Sequence, residues 1–262
     1  MRLEKKVAII TGGGAGIGKA ISLAFADEGA DVVVAARTLS KLEETAGEIR
    51  SKGVRAMAIQ ADISEETQVQ KVVNRTLAEY GRIDILVNNA AITGATANVV
   101  DIKLEDWNKE LAVGLTGTML CSKAVLKPMI AQQSGNIVNI SSGAGRGGYP
   151  MRSPYSVIKW GVISLTQSMA MEVGTCNIRV NSVAPGWVEG ERVDRAVRTR
   201  SEATGLSYDV VYEEVVQAAS ARSALRRIVT PDEVAGAVVF LASDESNGIT
   251  GHTLDVNGGG RL

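Results

Sequence analysis

The 262-residue sequence has few of the side chains from which metal sites and redox pairs are built. Its one histidine, His252, cannot form a multi-histidine metal site, and its two cysteines, Cys121 and Cys176, cannot form a four-cysteine zinc site. The cysteines also lie too far apart for a CxxC pair, and two are too few for a disulfide-rich scaffold. We therefore expect no metal, and chemistry that uses hydroxyls, lysines, carboxylates or a bound cofactor.

An excess of one charge is absent as well. The chain has 28 basic and 29 acidic residues, which gives a formal net charge of −1. This balance argues against nucleic acid or an anionic membrane as a partner. No apolar run approaches the roughly 18 residues of a spanning helix, and the apolar stretch at residues 7–10 is too short for the core of a signal peptide. We therefore expect a cytoplasmic protein.

Short apolar runs alternate with segments of helical periodicity along the chain. About seven strands are predicted from runs at residues 7–10, 32–36, 56–61, 83–87, 135–140, 178–183 and 253–256. These runs lack polar alternation, which is typical of parallel strands buried on both faces. The repeated strand–helix–strand order predicts a doubly wound parallel sheet flanked by helices, a Rossmann-like α/β fold. At this length we expect one domain that spans residues 1–262.

One segment departs from this alternation. Residues 189–227 are rich in charge and poor in strand character, and they follow closely on a Pro-Gly pair. We interpret the segment as one or two exposed helices that form a lid over a substrate cleft. The alternative is a solvated helical insertion without a role, because lids and insertions look alike in sequence.

A glycine-rich run lies between the first predicted strand and the first predicted helix. Residues 11–18 read TGGGAGIG, and glycine permits positive φ and close approach of a ligand to the backbone. The N-terminus of the helix that follows presents free N–H groups and a positive dipole end to a pyrophosphate. A simple tight turn would have a similar sequence, but the position between strand and helix favours dinucleotide binding.

Further motifs follow in a fixed order. They are TGxxxGxG at residues 11–18, NNAA at residues 88–91, a serine at residue 142 with YxxxK at residues 155–159, a Pro-Gly pair at residues 185–186 and NGG at residues 257–259. The set resembles the short-chain dehydrogenase/reductase family over essentially the whole chain. YxxxK alone would carry little information, whereas the ordered set is highly specific. The resemblance implies a nicotinamide-dependent oxidoreductase.

Tyr155 and Lys159 are four residues apart, so a helix places them on one face. A free tyrosine has a pKa of about 10 and is a poor base at neutral pH. A nearby lysine cation and an oxidised nicotinamide both favour the phenolate, which brings the pKa of the tyrosine closer to the operating pH. Ser142 is expected to donate a hydrogen bond to the substrate oxygen. An isolated YxxxK would be an ordinary helix-surface pair; in this context we interpret Ser142, Tyr155 and Lys159 as the catalytic residues.

The ribose of the cofactor is expected at the end of the second strand, where an acidic residue selects NAD and an arginine accommodates the 2′-phosphate of NADP. That strand ends without a carboxylate and Arg37 follows it, which favours NADP(H) over NAD(H); an ordinary surface arginine is the alternative. Asp62 resembles the family aspartate beside the adenine, with a helix N-cap as its alternative role. The cofactor-binding set implied by the resemblance is Gly12, Gly16, Ile17, Gly18, Arg37, Asp62, Ile63, Asn89, Tyr155, Lys159, Pro185, Gly186 and Val188.

The sequence departs from the family pattern at three positions. Gly114 stands where the family usually has an asparagine, which is thought to hold a water that links the lysine to solvent. A glycine inside a helix costs about 1 kcal/mol relative to alanine. Space for an additional water and no role at all are the two alternatives that we consider for Gly114. Ala91 replaces a glycine, and Gly190 replaces a threonine that contacts the nicotinamide, which leaves the backbone of Val188 for that contact.

The sequence therefore predicts hydride transfer between a nicotinamide cofactor and a small-molecule ketone or secondary alcohol, with Tyr155 as the general acid/base. Two alternatives stay open: a 3-oxoacyl thioester reductase, and a dinucleotide-binding sensor that has lost catalysis. The basic residues that would bind a carrier protein are interleaved with acidic ones in residues 191–202, which is typical of a mixed solvated face. The resemblance also implies a homotetramer, with the long helix and the Tyr155 helix at an interface.

Overall fold

A computed structural model describes residues 1–92, 94 and 96–260. Within these ranges the chain folds into one seven-stranded sheet in which every pairing is parallel. The strands are β1 (Val7–Thr11), β2 (Asp31–Ala36), β3 (Ala56–Gln60), β4 (Ile85–Asn88), β5 (Gly135–Ile140), β6 (Ile178–Pro185) and β7 (Thr253–Val256). Their order across the sheet is β3-β2-β1-β4-β5-β6-β7. The prediction of a doubly wound, Rossmann-like α/β fold in a single domain is confirmed.

Helices cover both faces of the sheet. In the described ranges they are α1 (Gly16–Asp27), α2 (Leu39–Ser51), α3 (Glu66–Tyr80), α4 (Leu104–Leu111), α5 (Gly117–Gln132), α6 (Ser153–Val173), α7 (Glu191–Thr204), α8 (Tyr208–Ser220) and α9 (Pro231–Ala242). Helices α1, α2 and α9 share one hydrophobic core with Ile10 of β1, and α3, α5 and α6 share the other with Ile9. Because successive residues of a strand point to opposite faces, both must be apolar here, which explains the missing polar alternation.

The strand order reverses between β1 and β4. Strand β1 pairs with β2 on one side and with β4 on the other. At such a point the connections that follow the two strands leave in opposite directions, and a crevice opens at the carboxyl ends of the strands. Thr11 and Asn88 are the last residues of these strands and mark the edge of the crevice. Ligands of open α/β sheets bind at this position.

The helical region that starts at Leu104 and ends at Gln132 is not a single α-helix. It consists of α4, a π-helical turn at Ala112–Thr116, and α5. Pro128 lies inside α5, which ends four residues later at Gln132. Gly114 lies at the centre of the π-helical turn, and such single turns occur frequently at functional sites.

The charged segment at residues 189–227 contains two helices, α7 and α8. They pack on each other through a small apolar cluster of Val193, Val197 and Val211. A parallel bridge between Val188 and Val229 holds the two ends of the segment side by side. The segment therefore leaves the sheet after β6 and returns to nearly the same point before α9.

Candidate active site

The glycine-rich run forms the turn between β1 and α1. Gly12 and Gly16 have φ of +68° and +51°, in the left-handed region that favours glycine. A Cβ added to Gly18 would lie 2.1 Å from the carbonyl oxygen of Gly12, so no larger residue fits there. Helix α1 begins after Ala15, whose side chain offers no capping group. The first N–H groups of the helix are therefore left for an anionic ligand such as a phosphate.

Asn89 holds this turn against the end of β4. Its side-chain amide donates to the carbonyl oxygens of Thr11 and Gly12, at 3.0 and 3.3 Å. In return, the Thr11 hydroxyl accepts from the backbone N–H groups of Asn89 and Ala90, at 3.0 and 3.1 Å. These bonds fix the shape of the crevice on which the glycine-rich turn opens.

Arg37 and Asp62 follow neighbouring strands, β2 and β3, at the same edge of the sheet. Arg37 is exposed, and Asp62 accepts hydrogen bonds from the Ser64 hydroxyl and N–H at 2.6 and 3.0 Å. The pKa of Asp62 is lowered chiefly by the Ser64 hydroxyl, and the positive charge of Arg37 contributes in the same direction. The N-cap alternative for Asp62 is wrong, because the residue that caps α3 is Glu65. Next to Asp62, Ile63 is buried against Gly117.

Tyr155 and Lys159 lie on one face of α6, near its start. Only 8% of Tyr155 and 5% of Lys159 is exposed. The Lys159 Nζ lies 5.7 Å from the centroid of the Tyr155 ring and donates to the carbonyl oxygen of Ile140 at 2.7 Å. That carbonyl belongs to the last residue of β5, so the sheet itself positions the ammonium group. A buried cation next to a phenol favours the ionised form of the phenol.

Ser142 lies just beyond β5, in a turn that is attached to α6. The Ser156 hydroxyl donates to the carbonyl oxygen of Ala144 at 2.9 Å, and the Ser141 hydroxyl donates to the carbonyl oxygen of Lys159 at 2.9 Å. The Ser142 Oγ accepts from the N–H of Ala144 at 3.2 Å. The structure therefore brings together the three residues that the sequence identified as catalytic candidates.

A second cation lies beside Tyr155, and the sequence analysis missed it. The guanidinium carbon of Arg152 is 5.4 Å from the centroid of the Tyr155 ring. Its Nη1 lies 3.5 Å from the Thr96 hydroxyl, and its Nε is buried without a hydrogen-bond partner among the residues that the structure describes. On the same side, the ring of Tyr149 lies 6.5 Å from that of Tyr155, tilted by 56°. The only signal in the sequence is that Arg152 precedes Tyr155 by three residues, about one helical turn.

Gly114 packs directly against α6. A Cβ added to Gly114 would lie 2.7 Å from Cγ2 of Ile158, the residue before Lys159. The hypothesis that Gly114 leaves space for an additional water is therefore not supported, because Ile158 occupies the position where a side chain would begin. The carbonyl oxygen of Gly114 accepts from the Thr118 hydroxyl at 3.0 Å within the same helical segment.

The other side of the crevice is formed by the chain after β6. Gly186 donates its N–H to the carbonyl oxygen of Val256 at 3.0 Å. The bridge to Val229 uses the carbonyl of Trp187 and the N–H of Glu189, so the N–H of Val188 faces away from Val229. An open cleft with an empty volume of about 440 Å³ extends from Gly143 and Trp187 toward Arg222. Gly186 lines this cleft, and so does Gly143, the residue that follows Ser142.

The histidine and the two cysteines, which metal or thiol chemistry would use, are not among the residues described above for the site. His252 precedes β7 and bonds through its backbone N–H to Asn181. Cys121 and Cys176 are free thiols, and burial raises the pKa of Cys121 to about 12. In the part of the chain that the structure describes, no three His, Cys, Asp or Glu side chains are grouped for a metal ion, and the helices are too short or too polar to cross a membrane.

Comparison with known proteins agrees with this arrangement. A family model described as "Enoyl-(Acyl carrier protein) reductase" matches residues 12–260. The 3-oxoacyl-[acyl-carrier-protein] reductase FabG of Thermotoga maritima is 38% identical over 259 residues, covering 99% of this chain and 99% of that protein. The (2S)-[(R)-hydroxy(phenyl)methyl]succinyl-CoA dehydrogenase subunit BbsD of Thauera aromatica is 36% identical over 262 residues, covering 100% and 99%. Among solved structures, NAD+-bound xylitol dehydrogenase has a TM-score of 0.91 at 32% identity, covering 99% and 100%.

The fold and the site together define a dinucleotide-binding oxidoreductase. The chain belongs to the short-chain dehydrogenase/reductase family, and it is an oxidoreductase of the nicotinamide-dependent class that this family comprises. The resemblance that the ordered motifs indicated is thereby confirmed, as is the prediction that the protein is an enzyme.

Proposed function

We propose that this protein transfers a hydride between NADP(H) and a ketone or secondary alcohol, with Tyr155 as the general acid/base. The observation that carries the proposal is the pairing of Tyr155 with Lys159, both nearly buried on one face of α6, next to the turn that holds Ser142. When bound, the nicotinamide supplies or accepts the hydride. The residues of the chain hold the cofactor, orient the substrate and move the proton.

Each of the three residues has a separate task. In the reduction, Tyr155 Oη gives its proton to the carbonyl oxygen, and in the oxidation it takes the proton from the alcohol. The Lys159 ammonium, held by the Ile140 carbonyl, stabilises the phenolate that this transfer leaves behind. The Ser142 Oγ accepts from Ala144, so its own hydrogen remains to be donated to the substrate oxygen. That bond strengthens as negative charge develops on the oxygen.

The proposed cofactor-binding residues follow the crevice from the phosphates to the nicotinamide. They are Gly12, Gly16, Ile17 and Gly18 of the glycine-rich turn, Arg37, Asp62 and Ile63 at the adenosine end, Asn89, and Tyr155, Lys159, Pro185, Gly186 and Val188 at the nicotinamide end. The free N–H groups at the start of α1 support the phosphate position, because a helix N-terminus attracts anions. Gly190, at the N-cap of α7, has no side chain for the carboxamide, which supports a contact through the backbone of Val188.

The proposal is tested by following the absorbance of the reduced nicotinamide with a panel of ketones and secondary alcohols. We expect turnover with at least one pair of ketone and alcohol in both directions, and strict dependence on the cofactor. Tight cofactor binding without turnover of any substrate would contradict the proposal. That result would favour the alternative of a dinucleotide-binding sensor.

A 3-oxoacyl thioester reductase is the second candidate, because FabG of Thermotoga maritima, which is similar over the whole chain, carries that activity in its name. A reductase of this kind requires a basic surface for an acidic carrier protein. On α7, Arg200 pairs with Glu214 of α8, and Asp194 accepts from the Tyr208 hydroxyl, so basic and acidic groups alternate there. The two candidates are separated by comparing kcat/KM for a 3-oxoacyl thioester with that for a simple ketone of the same length.

We propose NADP(H) as the preferred cofactor because Arg37 follows β2 directly and no carboxylate ends that strand. Replacing Arg37 with alanine is expected to raise KM for NADPH by about 10- to 100-fold, the value of a charge-assisted hydrogen bond. KM for NADH, which lacks the 2′-phosphate, is expected to change little. The matched control is Arg75→Ala on the exposed side of α3, which removes the same charge at a distance. A preference for NADH in the unmodified enzyme would contradict this assignment.

The assembly and location of the protein are also proposals. Helix α6 exposes Val157, Trp160 and Met171 on its outer side, and α5 exposes Met119 and Ile130. Such an apolar surface supports a homotetramer in which these helices meet their symmetry mates. The two free cysteines support a reducing, cytoplasmic environment.

We further propose that α7 and α8 act as a lid over the cleft. Both ends of the segment that contains these helices lie beside the cleft, at Val188 and Val229.

A further inference from the structure

Arg152 is a cation without an anion at the candidate active site. Among the described residues no carboxylate lies within ion-pair distance of its guanidinium, and its Nε is buried without a hydrogen-bond partner. Among the described residues, the one hydrogen-bond partner of its side chain is Thr96, and this bond is 3.5 Å long and therefore weak. A buried donor without a partner carries a desolvation cost. An anionic ligand that paired with the guanidinium would offset that cost.

The backbone of Arg152 is fixed although its guanidinium is not neutralised. Arg152 is the N-cap of α6, its N–H donates to the carbonyl oxygen of Tyr149 at 3.1 Å, and its carbonyl oxygen accepts from Ser156 at 3.0 Å. Only the side chain reaches toward Tyr155, where the guanidinium carbon lies 5.4 Å from the ring centroid. The guanidinium therefore lies beside the ring of the residue that is proposed to exchange a proton with the substrate carbonyl.

We propose that Arg152 determines specificity by binding the carboxylate of an acidic substrate, an oxo- or hydroxycarboxylic acid. This inference rests on the proposed function, because it assumes that the reacting carbonyl lies at Tyr155. A guanidinium presents parallel N–H donors that match the two oxygens of a carboxylate. Binding the carboxylate would neutralise the guanidinium and orient the carbonyl carbon for hydride transfer.

A second arginine, Arg222, is the alternative binding position for the substrate carboxylate. It lines the open cleft together with Trp187. The neighbouring Arg227, which also lines this cleft, is paired with Glu233. We assign the carboxylate to Arg152 because its guanidinium is in contact distance of the Tyr155 ring, where the reacting group is proposed to lie.

The test compares each acid with its methyl ester, since the two differ only in charge at the proposed contact. The unmodified enzyme is expected to have a higher kcat/KM for the acid. In Arg152→Gln the ratio of kcat/KM for acid to ester is expected to fall by about 10- to 100-fold. Arg152→Lys keeps the charge but loses the paired donors, so its acid-to-ester ratio is expected to lie between those of the unmodified enzyme and Arg152→Gln. The ratio cancels any general effect of the Arg152 charge on Tyr155, because acid and ester share that step.

The outcomes separate this inference from the proposed function. If the unmodified enzyme converts no ketone or secondary alcohol at all, the proposed function fails. If it converts simple ketones but neither the acids nor the esters, the function stands and the role of Arg152 is overturned. If it converts both equally well, or if Arg152→Gln keeps the preference for the acid, the function stands and the role of Arg152 is overturned. Loss of the preference in Arg222→Gln but not in Arg152→Gln would likewise overturn it. Arg75→Gln, on the exposed side of α3, controls for the loss of one positive charge. Arg152→Lys keeps the test decisive if Arg152→Gln does not fold.

Discussion

Replacing Tyr155 with phenylalanine is expected to lower kcat by about 10²- to 10⁴-fold while cofactor binding persists. Proton transfer by a positioned side chain contributes an effect of this size, and the substitution removes only the hydroxyl that carries the proton. The ring, which is buried and lies against Arg152 and Lys159, is retained, so the packing of α6 is preserved. The measurement is steady-state turnover together with the dissociation constant of the cofactor.

Tyr149→Phe is the matched control for this prediction. It removes a hydroxyl from a ring only 6.5 Å away, in the same part of the site. We expect a much smaller loss of turnover, because the Tyr149 hydroxyl has no part in the proposed proton transfer. Near-normal turnover in Tyr155→Phe, or an equal loss in both variants, would show that Tyr155 is not the proton donor.

Replacing Gly114 with asparagine, the residue that the family pattern has at this position, is expected to destabilise the protein. The new Cβ would lie 2.7 Å from Cγ2 of Ile158, closer than such atoms approach each other. Ile158 is β-branched and buried in α6, so its χ1 has little freedom to move the methyl group away. Overpacking of this kind costs about 1–3 kcal/mol in the free energy of unfolding. Urea unfolding of the two proteins measures this change.

The same contact predicts that a second substitution compensates for the first. Ile158→Ala alone is expected to lower the free energy of unfolding by about 2–5 kcal/mol, because it leaves a cavity. In the double variant the asparagine fills part of that cavity, so the combined loss should be smaller than the sum of the single losses by about 0.5–3 kcal/mol. Additive losses would show that Gly114 and Ile158 are not a complementary pair.

Gly47→Asn provides the control for the effect of asparagine in a helix. Gly47 lies in α2 with no atom within 4 Å of an added Cβ, so the substitution meets no neighbour. Asparagine has a slightly better helix propensity than glycine, and we expect little change or a small gain in stability. A loss at Gly47 as large as at Gly114 would attribute the effect to helix propensity and not to Ile158.

Most of the fold, the glycine-rich turn and the pairing of Tyr155 with Lys159 follow from local sequence patterns. The apolar runs predict the strands because parallel strands are buried on both faces, and the run at residues 135–140 coincides with β5. The glycine-rich turn is predictable because Gly18 tolerates no Cβ beside the Gly12 carbonyl. Tyr155 and Lys159 are predictable as neighbours because a helix brings residues i and i+4 to one face.

The features that the sequence did not predict depend on contacts between distant segments. The absence of a side chain at Gly114 is explained by its contact with Ile158, which lies on another helix. The π-helical turn around Gly114 is too short to show a periodicity of its own in the sequence. The N-cap role considered for Asp62 is wrong because its side chain closes a local turn with Ser64, and α3 starts later. The proximity of Arg152 to Tyr155 depends on the side-chain conformation at the start of α6, which no local pattern specifies.

The transfer of deuterium from the cofactor to the substrate tests the central claim most directly. NADPH carrying deuterium at C4 of the nicotinamide, on each face in turn, is incubated with the enzyme and a ketone that it reduces, and the alcohol is examined by mass spectrometry. We predict that one of the two labelled forms transfers a single deuterium to the carbinol carbon, and that Tyr155→Phe forms this product far more slowly. If neither labelled form gives an alcohol that contains deuterium, direct hydride transfer at this site is contradicted.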